Sequence, residues 1–149
     1  MASNEAVPTR TYVGVVYPSQ IDHMGHLNVA YYAAMFDQAT WVFLASVGLN
    51  RRYMETTQRG MAAVSQSTEY RREVFAGDVV IIHTALLEVH EKTIRFLHTM
   101  RCDDDAVVAT SQLVGAHLDR VHHRACPFPE DIRERLRRAL AAGTAPEDS

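Results

Sequence analysis

Apolar and polar positions follow two different patterns along the chain. From Val29 to Phe36 every residue is apolar, and the polar residues between there and Gly48 do not fall on one side of a helix. Beyond residue 60 the apolar residues instead form short β-branched runs or alternate with polar ones. The first pattern predicts a helix enclosed by protein or lipid, and the second predicts β-strands.

The same pattern gives the bounds of the elements. The predicted helix spans 29–47, begins after the N-cap residue Asn28 and ends at Gly48. A polar connector at 50–60 has room for a short helical turn. Strands and a C-terminal amphipathic helix make up the rest: strands at 11–17, 61–74, 79–89, 93–100 and 106–121, and a helix after Pro127-Phe128-Pro129 with its apolar stripe at Ile132, Leu136 and Leu140.

This order of elements predicts an α+β fold in a single domain, residues 1–149. Four of the strands follow one another without helices between them, so the sheet should be mostly antiparallel. A sheet curled around the helix would explain why that helix is apolar on nearly every side. Residues 1–9 and 143–149 are expected to be loose tails. Exposed edge strands favour pairing with a second copy, so a homodimer or homotetramer is expected.

Composition narrows the class of protein. Hydrophobic residues make up 47% of the chain and charged residues 22%, as in ordinary globular domains. The net charge of -3 does not favour binding to nucleic acid. Cys102 and Cys126 have no disulfide or CxxC spacing and indicate reduced thiols, so with an N-terminus that lacks a secretory signal we expect a cytoplasmic protein. Asp37-Gln38 interrupts the apolar helix, which argues against a membrane span.

Candidate chemistry lies immediately before the helix. Asp22, His23 and His26 flank a turn at Gly25, where the helix begins and carries partial positive charge. An acid and two imidazoles at such a helix start are suited to reactions of a carbonyl or phosphate.

Two segments resemble one enzyme family. The run Asp22-x-x-Gly25-His26-Leu27-Asn28-x-x-Tyr31-Tyr32, preceded by Val-Tyr-Pro, resembles the signature of hot-dog fold acyl-CoA thioesterases of the 4-hydroxybenzoyl-CoA thioesterase type. Residues 70–81 resemble that family's strand, Gly-Asp turn and strand. The likeness extends from residue 11 to about 120. It implies a hot-dog fold, in which an antiparallel sheet wraps around one long central helix and dimerises edge to edge.

The resemblance also implies a mechanism. Asp22 stands where the family has its hydrolytic acid, and an ionised aspartate can act as general base toward water or as nucleophile. The thioester carbonyl would lie against backbone N–H groups near Val29, which need no particular side chain. The chain departs from the family at Gln20, where an acid of supporting role is common, and at Val29, where Asn, His or Pro is frequent.

Other polar residues near the helix start have two interpretations each. His26 would orient substrate or water, or would be a loop histidine bonded to local backbone. Asn28 would assist catalysis or serve only as the N-cap. His23 is expected to be exposed. Asp37 is the alternative catalytic acid, against a structural role in the interior or at a dimer interface.

The resemblance further implies where an acyl-CoA substrate binds. Lys92 and Thr93 in the turn at 90–93 are candidates for contacting the nucleotide, with Arg71 and Arg72 behind them, although each cation would also fit a solvated surface cluster. The acyl group should lie between the helix and strands of a partner subunit. The residues expected to line that pocket are Tyr31, Tyr32, Met35 and Met61.

No metal or separate cofactor is expected. Asp103-Asp104-Asp105 lacks the ligand spacing of a calcium loop, and the pairs His23-x-x-His26 and His122-His123 have no third ligand at metal spacing. Two other functions stay open. A hydratase or dehydratase of the same fold would use His26 with Asp37, and a non-catalytic acyl-CoA-binding dimer would need only the fold.

Overall fold

The computed structural model describes residues 9–142. The elements, in chain order, are β1 (Thr9–Val15), a 3-10 turn (Pro18–Gln20), α1 (Val29–Ser46), α2 (Arg51–Thr57), β2 (Arg59–Tyr70), β3 (Val79–Val89), β4 (Thr93–Cys102), β5 (Val107–Asp119), β6 (Arg124–Ala125) and α3 (Glu130–Ala142). The two predicted tails lie outside the described residues, except that Thr9 already belongs to β1.

One antiparallel sheet contains all the strands. Their order is β1-β3-β4-β5-β2, and the short β6 pairs with the end of β5. β1 and β2 are therefore its two edges. The antiparallel α+β architecture is as predicted from the uninterrupted succession of strands.

The strand β2 differs in position from its prediction at 61–74. It pairs with β5 from Arg59 to Tyr70, with an irregularity of register around Val64. Beyond Tyr70 the chain leaves the ladder, because the N–H groups of Arg71 and Arg72 both donate to the Val108 carbonyl, at 2.9 and 3.3 Å. The residues that follow form the turn before β3.

The core lies between the sheet and the helices. Six side chains of α1 are buried: Tyr32, Met35, Phe36, Ala39, Phe43 and Leu44. They contact the inward-facing alternate positions of the strands. The end of α1 meets α3, whose Ile132 and Leu136 are almost fully buried. Burying one large aliphatic side chain contributes about 1.5–3 kcal/mol, so α3 adds substantially to stability.

The opposite side of α1 is not covered by the chain itself. Val29, Tyr31, Trp41 and Val42 are 37–58% exposed. The expectation of a helix enclosed on nearly every side is therefore met on one side only within a single chain. In the part of the chain that the structure describes, no helix has the length and apolarity needed to cross a membrane.

Candidate active site

The loop that carries Asp22 is closed by its own hydrogen bonds. The Asp22 N–H donates to the His26 carbonyl at 3.2 Å, and the Gly25 N–H donates to the Asp22 carbonyl at 3.0 Å. Gly25 has a φ of 88°, a left-handed conformation that glycine adopts without strain. One carboxylate oxygen of Asp22 accepts a hydrogen bond from the Met24 N–H at 2.8 Å. Its other oxygen accepts no hydrogen bond from the described residues.

This loop is fastened to the body of the protein on both sides. The Leu27 N–H donates to the Val74 carbonyl at 2.7 Å, and the Asn28 N–H donates to the Gln20 carbonyl at 2.9 Å. The Gln20 side chain accepts a hydrogen bond from the Tyr17 N–H at 2.9 Å, so it stabilises the 3-10 turn. The half-buried Asp22 is thus held in a defined place before α1.

The first amide of α1 is free to bind an anion. Asn28 is the N-cap, and its side-chain oxygen accepts from the Ala30 N–H at 2.9 Å, while its carbonyl accepts from the Tyr31 N–H at 2.9 Å. The Val29 N–H donates to no described residue. Because a helix start also carries partial positive charge, this amide can stabilise an oxyanion.

A cavity of about 260 Å³ opens beside this helix start, and we call it the helix-start cavity. Its walls are His26, Leu27, Val29, Tyr32, Tyr70, Arg71, Arg72 and Glu73. Five of the predicted site residues therefore meet around one space. Asp22 lies in the adjoining loop and is not part of the cavity wall.

The polar groups of the helix-start cavity differ in how they are engaged. His26 Nε2 is 3.9 Å from a Glu73 carboxylate oxygen. Arg72 forms a two-pronged salt bridge with Asp104, at 2.9 and 3.3 Å, which raises the pKa of Arg72. Arg71, by contrast, forms no side-chain ion pair with a described residue, so it is the cation available to a ligand.

Tyr32 presents a neutral phenol at this cavity. Burial, followed by the nearby Cys102, Tyr70 and Glu73, raises the pKa of Tyr32 to about 12. Its ring packs edge-on against the Tyr70 ring with centroids 5.0 Å apart. The hydroxyl of Tyr32 therefore stays protonated at neutral pH and can donate a hydrogen bond.

A second space, the α1–β2 groove, has a volume of about 300 Å³. Asp37, Trp41 and Met61 lie in its wall. The residues predicted to form one acyl pocket are thus dispersed. Met61 is in this groove, Tyr32 is in the helix-start cavity, and Met35 and Tyr31 line neither, since Met35 is in the core and Tyr31 is partly exposed.

The structure keeps His26 and Asp37 in separate places. His26 lines the helix-start cavity and Asp37 lines the α1–β2 groove. No contact joins the two side chains among the described residues. The His–Asp pair that a hydratase would use is therefore not formed within one chain.

Lys92 and Thr93 lie far from Asp22 in the same chain. Lys92 ends the β3–β4 turn and Thr93 begins β4, and the Lys92 carbonyl accepts from the His117 N–H at 2.8 Å. The Asp22 loop lies at the other end of β3, since the Val16 N–H next to it bonds the Asp78 carbonyl at 2.9 Å. With 11 residues in β3 and about 3.3 Å per residue, the separation is on the order of 30 Å.

The remaining candidates stay outside both spaces. His23 is exposed, as predicted. His122 bonds Asp119 at 2.8 Å in the β5–β6 turn. Between residues 9 and 142, no three His, Cys, Asp or Glu side chains are grouped as metal ligands.

A buried polar chain was not predicted from the sequence. His98 is fully buried; its Nε2 is 2.8 Å from the Thr40 hydroxyl and its Nδ1 is 2.7 Å from the Thr84 hydroxyl. The chain continues from Thr84 to Thr11 at 2.8 Å. Burial lowers the pKa of His98 to about 4. Thr40 also lines the α1–β2 groove, so this polar chain reaches the wall of that groove.

The sequence does contain a signal that His98 faces the core. It shares the alternate positions of Ile94, Phe96 and Met100, all of which face the core. A histidine on the inward side of an apolar strand must find polar neighbours. The two threonines that satisfy it, Thr40 and Thr84, come from two other elements, which local pattern cannot identify.

Comparison with known proteins supplies the family. Residues 16–136 match the model of the thioesterase-like superfamily. The chain belongs to this superfamily. The match spans most of the chain and confirms the predicted membership among hot-dog acyl-CoA thioesterases.

Individual relatives agree with this assignment. A betainyl-CoA thioesterase of Pseudomonas aeruginosa is 25% identical over 127 residues, which are 85% of this chain and 80% of that protein. A hypothetical Staphylococcus aureus protein solved in complex with CoA superposes with a TM-score of 0.88 at 19% identity, over 96% of this chain and 91% of that one. A gentisyl-coenzyme A thioesterase superposes with a TM-score of 0.74 at 20% identity, over 85% and 98%. These structures share the fold of this thioesterase-like chain.

Proposed function

We propose that this thioesterase hydrolyses an acyl-CoA to a carboxylic acid and CoA, with Asp22 as the hydrolytic group and the Val29 N–H as oxyanion donor. Hydrolysis of acyl-CoA thioesters is the activity that membership of the superfamily supports. The observation that carries the assignment is the unused N–H at the start of α1, beside a loop that leaves one Asp22 oxygen without a hydrogen bond.

Either role of Asp22 gives a balanced reaction. As general base, its carboxylate takes a proton from water while the water oxygen bonds to the thioester carbon. As nucleophile, it bonds to that carbon itself and forms an anhydride, which water then cleaves. In both routes the carbonyl oxygen becomes an oxyanion at the Val29 N–H. The C–S bond then breaks, and CoA leaves as a thiolate that takes up a proton.

Neighbouring residues would assist in binding. His26 and Tyr32 line the helix-start cavity and can donate hydrogen bonds to the thioester or to water. Asn28 contributes as the N-cap, because its side chain accepts from the Ala30 N–H and fixes the first turn of α1. The free cation of Arg71 suits a phosphate of CoA.

A second copy of the chain would complete the site. The uncovered apolar side of α1 and the free edge of β2 both favour a homodimer or larger homo-oligomer. If two β2 strands pair antiparallel about a two-fold axis near their middle, the beginning of one lies beside the end of the other. The Ala62 end of one copy then meets the Tyr70 end of its partner.

This pairing brings the predicted CoA residues within reach. Thr93 and Ala62 both pair with Ala116, so they lie in one row across β4, β5 and β2. Three strand spacings of about 4.8 Å then separate Thr93 of one subunit from the β2 end of the other, or roughly 15 Å. Lys92 and Thr93 would serve the partner's site rather than their own.

The acyl group that the enzyme accepts depends on its pocket and not on the fold alone. The relatives named above act on a betainyl and a gentisyl thioester, groups of different shape and charge. We therefore propose acyl-CoA as the substrate class and look for the acyl preference in the α1–β2 groove.

Release of free CoA thiol from a panel of acyl-CoAs tests the proposal. We expect hydrolysis of at least one thioester, and a fall in kcat of about 100-fold or more in Asp22→Asn, because an amide can neither take the proton nor attack the carbonyl. Asp103→Asn, in an exposed turn, is the matched control and should keep its rate. Absence of hydrolysis across the panel, or near-normal turnover by Asp22→Asn, would reject the assignment.

A further inference from the structure

The α1–β2 groove contains a single charged side chain. Apart from Asp37, the polar side chains of its wall are Thr40 and Gln66, and its largest apolar ones include Phe36, Trp41 and Phe96. Asp37 forms no ion pair and no side-chain hydrogen bond with a described residue. Its carboxylate is exposed at the otherwise apolar wall and is free to form an ion pair with a cationic ligand.

The other polar side chains of the groove are already engaged. The Thr40 hydroxyl bonds His98 at 2.8 Å and the Phe36 carbonyl at 3.0 Å. The Gln66 amide donates to the Ser111 hydroxyl at 3.3 Å. A primary ammonium has three N–H groups to satisfy, whereas a quaternary ammonium has none. The groove therefore suits a cation that needs charge and contact area but no set of acceptors.

Aromatic surface lies next to the free carboxylate. Trp41 follows Asp37 by one helical turn on the same side of α1 and is 44% exposed. Phe36 and Phe96 add ring surface to the wall. Faces of tryptophan and phenylalanine attract quaternary ammonium groups, and tryptophan does so most strongly. A carboxylate with an indole beside it is a binding arrangement for such a cation.

The position of the groove along α1 sets the length of the acyl group. Val29, Ala33, Asp37 and Trp41 form one stripe at i, i+4 spacing. Asp37 lies about 12 Å beyond Val29 along the helix axis. The Val29 N–H points away from Asp37, so its hydrogen bond adds about 3 Å, whereas the contact of the cation with the carboxylate takes about 4 Å. Roughly 11 Å therefore separates the carbonyl oxygen from the cation, which requires an extended acyl chain.

We propose that the α1–β2 groove recognises the quaternary ammonium end of a cationic acyl group, with Asp37 and Trp41 as the specificity-determining residues. This inference rests on the proposed thioesterase function and deepens it. A hydroxylated aromatic acyl group would give Asp37 one hydrogen bond but no ion pair, so it would make less use of the charge of the carboxylate.

A pair of isosteric thioesters tests this preference. The two substrates are an extended ω-trimethylammonio-acyl-CoA and its neutral analogue of the same length, in which a quaternary carbon replaces the nitrogen. Shape is equal, so the ratio of their kcat/KM values reports the charge. We expect the wild-type protein to favour the cationic thioester by about tenfold or more, as one carboxylate contact and one aromatic contact allow.

Variants assign the preference to the groove. Asp37→Asn should lower the cationic-to-neutral ratio about tenfold, and Trp41→Leu should lower it less, while Asp103→Asn keeps the wild-type ratio. If neither thioester is hydrolysed but others are, or if the ratio is near one, the cation site is rejected and the thioesterase function stands. If Asp37→Asn slows both substrates alike, its carboxylate has a catalytic role and the inference is also rejected. If no acyl-CoA at all is hydrolysed, the proposed function itself fails.

Discussion

His98 is a fully buried titratable side chain. It has no exposed surface and stacks on the Phe36 ring with centroids 5.7 Å apart. Threonine hydroxyls form hydrogen bonds with both of its ring nitrogens. Threonine hydroxyls can accept or donate, so the neutral imidazole is satisfied in this place. The pKa of His98 is lowered to about 4 because burial disfavours the charged imidazolium form.

Acid should therefore destabilise the protein through His98. An unfolded histidine has a pKa of 6.5, and folded His98 one of about 4, so the unfolded chain binds more protons between these values. The stability that neutral His98 preserves is complete above pH 6.5 and is lost as the pH falls toward 4, by up to about 3 kcal/mol. Urea unfolding at a series of pH values measures this slope.

The same titration in His98→Asn separates this group from the rest of the chain. The variant should be less stable at neutral pH and should show a smaller change in unfolding free energy between pH 6.5 and 4. His23→Asn, which removes an exposed histidine, should leave the slope as in the wild type. An equal slope in His98→Asn would mean that other groups cause the acid sensitivity.

At the scale of elements, α3 closes the core over the end of α1. The predicted stripe was Ile132, Leu136 and Leu140. The structure buries Ile132 and Leu136 in contact with the residues around Phe43, whereas Leu140 is half-buried at the margin. The last turn of α1 and Leu49 therefore depend on α3 for their cover.

Truncation of Leu136 should show this dependence. Leu136→Ala removes a fully buried side chain and should lower the free energy of unfolding by about 2–5 kcal/mol, because it loses transfer free energy and leaves a cavity. Leu140→Ala is the matched control on the same helix and should cost clearly less. The urea midpoints of both variants, at unchanged m-value, give the comparison. Equal losses would indicate that α3 does not contribute to the core as its burial implies.

Much of the fold could be predicted because its determinants are local. The apolar run after Asn28 gives the start of α1, and alternating positions give the strands. The end of β2 at Tyr70 could not be obtained in this way, since it depends on hydrogen bonds to Val108 in another strand. Pairings of that kind depend on the sheet order, which short-range patterns leave open.

The candidate site shows the same difference between local and long-range determinants. Asp22, Gly25, Asn28 and Val29 lie within eight residues, so their arrangement follows from one loop and one helix start. The walls of the α1–β2 groove come from four elements, and the acyl residues predicted as one pocket were in fact dispersed. His98 bonds threonines 58 and 14 residues away, which explains why its network was missed.

At the scale of the whole molecule, one chain leaves two related surfaces uncovered. The edge strand β2 exposes Val64 and Tyr70, by 60% and 48%, and α1 exposes Trp41 and Val42 on its outer side. The helix-start cavity and the α1–β2 groove both open on this part of the molecule, because Tyr70 and Gln66 belong to β2. A second copy paired along β2 would cover both spaces, and each subunit would supply Lys92 to the site of the other.

A lysine in the middle of β2 should weaken such a dimer. Around a two-fold axis near Ser65, the two copies of that residue lie close together, and like charges facing each other across paired strands are unfavourable. Ser65→Lys should therefore raise the dimer dissociation constant by about tenfold or more, while Ser65→Thr should associate as the wild type does. Sedimentation velocity over a dilution series measures both. We propose that Lys92 reaches the site from the partner subunit, so thioester hydrolysis should fall with the dimer fraction. A fully active monomer of Ser65→Lys would show instead that one chain holds the complete site.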